Sequence, residues 1–267
     1  MSAVSAARPW RRPPLIQNRW LRWSLTGLIP AYLLVVLLTL DVPLARITAG
    51  LPRAADMAGA MLQPDFFSRG DAIWLGIKES LAMSFAATFL GFLIAIPFAF
   101  GAAANIAPRP VYHLCRAVIA VSRSFQEIII AILFVAMLGF GPLAGLATLV
   151  FAGFGFIAKL AAEEIEAMPP AALEAMRAGG ASWPQQMVYG VWPFLLPRLT
   201  GITFYRLDIN FRESAVIGIV GAGGIGATLN TALDRFEYAS AAAIIIVIIA
   251  IVLAAEYASQ AARRRLR

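Results

Sequence analysis

Residues 163–197 read EEIEAMPPAALEAMRAGGASWPQQMVYGVWPFLLP, a polar interruption between segments apolar enough to cross a bilayer. Pro169 and Pro170 suit the first turn of a helix, where a missing N–H costs little. Residues 171–178 are rich in strong helix formers, and Gly179-Gly180 ends the run. Glu174 and Arg177, three apart, fall on one side, while Ala172, Leu173 and Met176 supply apolar contacts. So short a helix is not stable alone in water. Something holds it, either the chain's own loops or a soluble subunit. The spacing leaves two readings open: a docking element on one membrane face, or an ordinary connector.

Outward from this stretch the chain is a membrane protein. It is 60% hydrophobic and 14% charged over 267 residues, where soluble domains average about 25% charged. A span needs about 20 apolar residues, and six segments meet or approach that: Ser24–Leu40, Ser80–Phe100, Ala117–Leu138, Pro142–Ala162, Leu199–Val220 and Ala239–Tyr257. The expected fold is therefore all-α, with about six transmembrane helices and both termini on one side. The first run reads as a retained helix rather than a secretory signal, because no A-x-A-like site closely follows Leu40. Asp41–Ile77, with three prolines and mixed charges, reads as the longest outer connection.

Basic residues set the orientation. Arg8, Arg11, Arg12, Arg19 and Arg22 precede the first span, and Arg263, Arg264, Arg265 and Arg267 close the chain. With both ends cytoplasmic, fourteen Lys and Arg lie inside and five outside, as the positive-inside rule requires. Beside membrane helices these clusters read as topology and anionic-lipid contact, not nucleic-acid binding. The single cysteine, Cys115, excludes an intramolecular disulfide, and with one histidine, His113, a Cys/His metal site is implausible.

Six charges lie within the spans: Arg123 and Glu127 four apart, Asp208 and Arg212 four apart, and Arg206 and Glu213 seven apart. Each four-residue pair can meet on one helix face. Ser122, Arg123, Ser124, Gln126, Arg206, Asn210, Arg212 and Ser214 offer donors suited to an oxyanion, and Glu127, Asp208 and Glu213 share the same segments. These eleven are the candidate substrate-pathway residues. Three arginines against three acids leave no surplus positive charge, which favours structural ion pairs over an anion site.

Two nucleotide signals are declined. Gly221-Ala-Gly223-Gly224-Ile-Gly226 matches G-x-G-x-x-G, but a membrane span precedes it and Asp234 and Glu237 follow too soon. A tight turn or broken helix at the outer mouth of a pathway is the better reading. No P-loop exists either: Lys78 precedes Glu79, Lys159 precedes Leu160, and there are no other lysines. Any power source lies on another chain.

Glu174-Ala175-Met176, then Gly180, then Pro193 resembles the coupling motif of ABC importer permeases, E-A-A-x3-G-x9-I-x-L-P. Glu174, Ala175, Gly180 and Pro193 fit, while Met176, Gly190 and Trp192 stand where the motif has Ala, Ile and Leu. Ser122–Glu127 before an apolar run ending Gly139-Phe-Gly141-Pro142, and Arg206–Ser214 running into Gly218–Gly226, are similar to the phosphonate importer permeases. The resemblance covers roughly Ile73–Tyr257. It implies a type I ABC importer permease of the bacterial inner membrane that carries phosphonate or a related phosphorus oxyanion. It implies a second permease copy forming a homodimer, two ATPase subunits holding ATP and Mg, and a periplasmic substrate-binding protein. In that family the helix around Glu174–Gly180 sits in a groove of the ATPase. The chain then divides into a basic segment at 1–23, a first helix and periplasmic loop at 24–72, the permease domain at 73–260 and a basic tail at 261–267. No cofactor, metal or catalytic residue is expected on the chain itself. Two rival readings remain: an ion-coupled secondary transporter, and a membrane-embedded enzyme using Asp208 and Glu213 or His113.

Overall fold

A computed structural model describes residues 18–39 and 44–265. The expectations resting on Arg8, Arg11, Arg12, Arg267 and residues 40–43 lie outside them. All regular structure among the described residues is helical, as the composition predicts. The chain divides into two compact units, residues 1–56 and 57–267.

The first unit holds helix α1 (Arg19–Thr39), none of whose residues is buried, and most of α2 (Leu44–Met61). The outer connection is thus partly helical, not the loop its prolines suggest. A run of Ala, Leu, Arg and Met carries helix propensity enough to continue past the single Pro52.

The second unit is built on α3 (Gly70–Gly101), which packs most extensively against α6 (Pro142–Glu166). Many of the positions buried on the two helices are small. Gly76, Ser80, Ser84, Ala87, Thr88, Gly91, Ala95 and Ala99 are buried on α3, and Ala144, Gly145, Thr148, Ala152 and Gly153 on α6. In a bilayer such faces let backbones approach closely, and packing replaces the hydrophobic drive. At Gly91 a Cβ would stand 3.4 Å from the Phe154 nitrogen. The hydroxyls of Ser84 and Thr88 donate to carbonyls one turn back at 2.7 Å, so the buried oxygens are satisfied.

Around this pair lie α4 (Arg109–Ser124) and α5 (Glu127–Leu138), both against α6. After the short helices α7 (Pro170–Ala178) and α8 (Trp183–Gln185), α9 (Trp192–Gly218) packs on α6 and α3, α10 (Gly224–Asp234) on α3 and α9, and α11 (Tyr238–Arg265) on α9 and α10.

Two expectations about spans change. Ala117–Leu138 is not one helix: α4 and α5 meet at a 91° bend. And among the described residues four helices, where six segments were expected, are long and apolar enough to cross: α1, α3, α6 and Tyr238–Tyr257 of α11, or five with α4 and α5 taken as one broken span. The helix α9 has 27 residues, about 40 Å at 1.5 Å per residue. Its four charges between Arg206 and Glu213 take it out of the apolar class, and the structure turns two of them, Arg206 and Asp208, inward.

Candidate functional site

The polar stretch that opened the sequence folds as its punctuation predicts. Pro170 is the first residue of α7, and Gly180 adopts a φ of +79°. The N–H of Gly180 donates to the Arg177 carbonyl and that of Ala181 to the Met176 carbonyl, each at 3.0 Å. This is a Schellman closure, whose left-handed residue favours glycine. One side chain, Leu173, is 4% exposed and joins a cluster with Ile157, Ile165, Met187, Val191 and Leu195. Arg177 Nε donates to Gln186 Oε1 at 3.2 Å, and Gln186 Nε2 to the Ala181 carbonyl at 2.8 Å. The chain's own next segment therefore anchors α7. Glu174, Ala175 and Gly180 stay exposed, and among the described residues the Glu174 carboxylate has no hydrogen-bond or ion-pair partner.

Gln186–Val191 widens into a π turn before α9. Its cause is Pro193, which lacks a donor and crowds the carbonyl four residues back. Trp192 accordingly donates five residues back, to Met187.

Two departures from the coupling motif compensate each other. The motif's Ala is Met176 here and its Ile is Gly190, and the Met176 sulfur stands 2.7 Å from where a Gly190 Cβ would be. Methionine fills the volume the missing isoleucine leaves. The third departure, Trp192, stacks on Phe100 with ring centroids 6.3 Å apart. Gly190→Ile alone is expected to destabilise the detergent-purified chain by about 1–3 kcal/mol through overpacking. Met176→Ala alone should cost about 2 kcal/mol through a void. The double variant should melt within a few degrees of the parent, giving a favourable coupling energy in a thermal double-mutant cycle; additive losses would contradict the pairing.

A girdle of ion pairs surrounds the same end of α6. Arg116 meets Glu166 at 2.8 Å, Arg198 meets Glu164 at 2.9 Å and Lys159 meets Glu163 at 3.4 Å. Glu166 also accepts the Ala104 N–H, and Arg116 Nε donates to the Ala102 carbonyl. Sequence reasoning passed over these residues, although the acidic run 163–166 was their signal.

Halfway along α6 lies the polar layer. Ser122 Oγ donates to the Phe151 carbonyl at 2.7 Å, which places the end of α4 at this depth. Arg206, 3% exposed, puts Nη2 3.0 Å from Glu127 Oε1. Its guanidinium lies over the Phe156 ring at 5.6 Å. The expected Arg123–Glu127 pair therefore does not form. Phe125 and Gln126 are extended, so the two residues belong to different helices and the four-residue rule does not apply. Arg212 and Asp208 do pair, at 3.6 Å, with the arginine 58% exposed. Glu213 lies beside Glu127, within reach of Arg206 and Arg212. Asn210 is fully buried and donates to Thr88 Oγ1 at 2.8 Å.

This sorting narrows the candidate oxyanion donors. Ser122, Ser124 and Ser214 give their protons to carbonyls of Phe151, Ala120 and Phe211. Arg123 and Gln126 are exposed and, among the described residues, their side chains have no partner. Among the described residues four buried side-chain atoms are unpartnered: Glu127 Oε2, Arg206 Nε, Asp208 Oδ1 and Asn210 Oδ1. Three of these orphaned atoms lie between Arg206 and Asn210 of α9 and the fourth opens α5, which sets this layer apart from an ordinary core, where nearly every buried polar atom has a partner.

At the other end of α9, Gly221, Gly223 and Gly224 all have positive φ. The first N–H groups of α10 are already taken, Gly224 by Glu79 at 3.0 Å and Ile225 by Ser80 at 3.0 Å. A carboxylate of α3 occupies the place where a phosphate would bind. The glycines make a turn.

Residues 87–267 match the family described as binding-protein-dependent transport system inner membrane component. The chain is 36% identical over 223 residues to a phosphate-import permease protein of Mycolicibacterium smegmatis, matching 83% of this chain and 42% of that protein. It is 40% identical over 191 residues to a phosphite transport system permease protein of Stutzerimonas stutzeri, covering 71% of this chain and 69% of that one. Among solved structures, the MetNI methionine ABC transporter in inward-facing form aligns with a TM-score of 0.63 and 26% identity, covering 73% of this chain and 97% of its own. A bacterial alginate ABC transporter, at 18% identity and a TM-score of 0.58 over 92% of this chain and 98% of its own, shares the fold.

Proposed function

Because this chain belongs to the binding-protein-dependent transport system inner membrane component family, we propose that it is the membrane-spanning permease of an ATP-driven importer for a small phosphorus oxyanion. The relatives named for phosphate and phosphite import support the cargo. One observation supports the mechanism above others. The helix α7 is held from behind by Leu173, Met176 and Gln186 and presents Glu174, Ala175 and Gly180 outward, the Glu174 carboxylate having no partner among the described residues.

In this reading a separate ATPase grips α7, two permease copies form the pore, and both termini face the cytoplasm. ATP and Mg reside on the ATPase, and the permease, as befits its family, binds no cofactor. Closure of two ATPases pushes α7. The cluster that locks Leu173 to Ile157, Val191 and Leu195 carries the motion into α6 and α9, whose polar layer lines the pathway. On the outer side, a cleft of about 870 Å³ beside Asp65, Arg69, Asp71, Arg235 and Tyr238 is offered to the substrate-binding protein. Arg69 and Glu237 close one wall by an ion pair, which holds the Glu237 carboxyl below its usual range.

The test is ATPase stimulation. With its ATPase and binding protein in proteoliposomes, the complex should hydrolyse ATP at least several-fold faster when the binding protein is loaded with methylphosphonate, phosphite or phosphate. Equal stimulation by methionine, with none by any phosphorus oxyanion, overturns the cargo.

A further inference from the structure

We propose that Arg123 is half of an anion site completed only by the second copy of this chain, so that two Arg123 guanidiniums, one from each copy, hold one phosphorus oxyanion between them. The inference rests on the function proposed above and says where in the pathway the cargo is held.

Depth comes first. The helix α4 is pinned by Ser122 to the Phe151 carbonyl. Phe151 lies nine residues into α6 from Pro142, about 13 Å by the helical rise, with about 22 Å remaining to Glu166. Arg123, next to Ser122, is thus near mid-membrane. The chain there is not helical: Phe125 and Gln126 are extended at a 91° bend. Broken backbone and a cation at this depth are tolerated only against protein or a wet cavity. Yet Arg123, Ser124, Phe125 and Gln126 are all exposed on the single chain.

Charge comes next. Glu127 is taken by Arg206, and Asp208 by Arg212. Among the described residues Arg123 has no carboxylate partner, and the exposed Gln126 amide, three residues on, is free as well. Immediately along α5 runs an apolar slot of about 410 Å³ lined by Phe125, Ile129, Ile132, Leu133, Phe134 and Phe151. An exposed cation two residues before the first residue of an apolar slot suits a two-fold interface, in which a residue near the axis meets its own copy. Two facing arginines repel unless an anion lies between them. A tetrahedral oxyanion with two negative charges matches two guanidinium forks.

Four variants in the assembled complex test this. Arg123→Gln in both copies should reduce methylphosphonate uptake about tenfold or more, the scale of losing a charged hydrogen bond, while the assembled complex melts within a few degrees of the parent. Arg123→Lys should fall between the two, since it keeps the charge and loses the fork. A fused pair with one wild-type and one Arg123→Gln half should show well under half of wild-type uptake, because the site is shared. In a Cys115→Ser background, Arg123→Cys should link copy to copy with a short bis-maleimide. Uptake of half or more in the fused pair, unchanged uptake with Arg123→Gln in both copies, or no cross-copy product with Arg123→Cys overturns the inference. Wild-type complex run in parallel separates the two levels: no phosphorus uptake there sinks the cargo reading and this one with it, whereas normal uptake leaves these variants to judge the site alone.

Discussion

Replacing Arg206 by methionine is expected to destabilise the detergent-purified chain by about 3 kcal/mol or more, the usual scale for removing one partner of a buried ion pair. Arg206 is 3% exposed and serves Glu127 at 3.0 Å, with Glu213 beside the same carboxylate. Without the guanidinium, two acids face each other with no cation of comparable burial. Arg212, the nearest alternative, is largely exposed and already paired with Asp208. A thermal melt followed by intrinsic fluorescence measures the loss. The decisive companion is Arg206→Met with Glu127→Met: apolar residues of similar size commonly replace a buried pair at little cost. The double variant should recover most of the stability lost by the single one. A single variant that melts with the parent would show that the pair is solvated and contributes nothing.

Gly180→Asp is expected to leave the fold largely intact and to abolish coupling. A Cβ at Gly180 meets nothing within 4 Å. The cost to folding is the left-handed φ, about 1 kcal/mol, and a carboxylate against the negative end of α7, under about 1 kcal/mol at an exposed site. If the ATPase covers this turn, as proposed, an unpaired carboxylate is buried on docking. That costs about 3 kcal/mol or more, a hundredfold in affinity. Uptake and the response of ATP hydrolysis to loaded binding protein should both be lost, with Tm lowered by only a few degrees. Gly180→Ala isolates the backbone term and should retain most transport. Full coupling in Gly180→Asp would remove α7 from the ATPase contact.

The parts legible in the sequence are those decided within a few residues. Pro169-Pro170 and Gly179-Gly180 bound α7 because proline and glycine act on their own dihedrals. The declined glycine motif proved to be a turn for the same reason, but its cap could not be read. Glu79 and Ser80 reach α10 from 145 residues away. The bend at Phe125–Gln126 has neither proline nor glycine to announce it. It is set by tertiary partners, Ser122 with Phe151 and Glu127 with Arg206. The four-residue rule paired Arg123 with Glu127 because it presumed a continuous helix, and that error concealed the free arginine. Met176 and Gly190 read as two unrelated departures until the structure put one into the space of the other. The helix α2 was lost to the weight given to Pro52 in an otherwise helix-forming run.

The central claim is that this chain provides a gated passage whose driving force comes from a separate ATPase. Purified chain in liposomes under an imposed proton or sodium gradient measures it directly, with radiolabelled methylphosphonate as the probe. The account predicts no accumulation until the ATPase, binding protein and ATP are added, and then accumulation against the gradient. Uptake by the chain alone, driven by either ion, would contradict it.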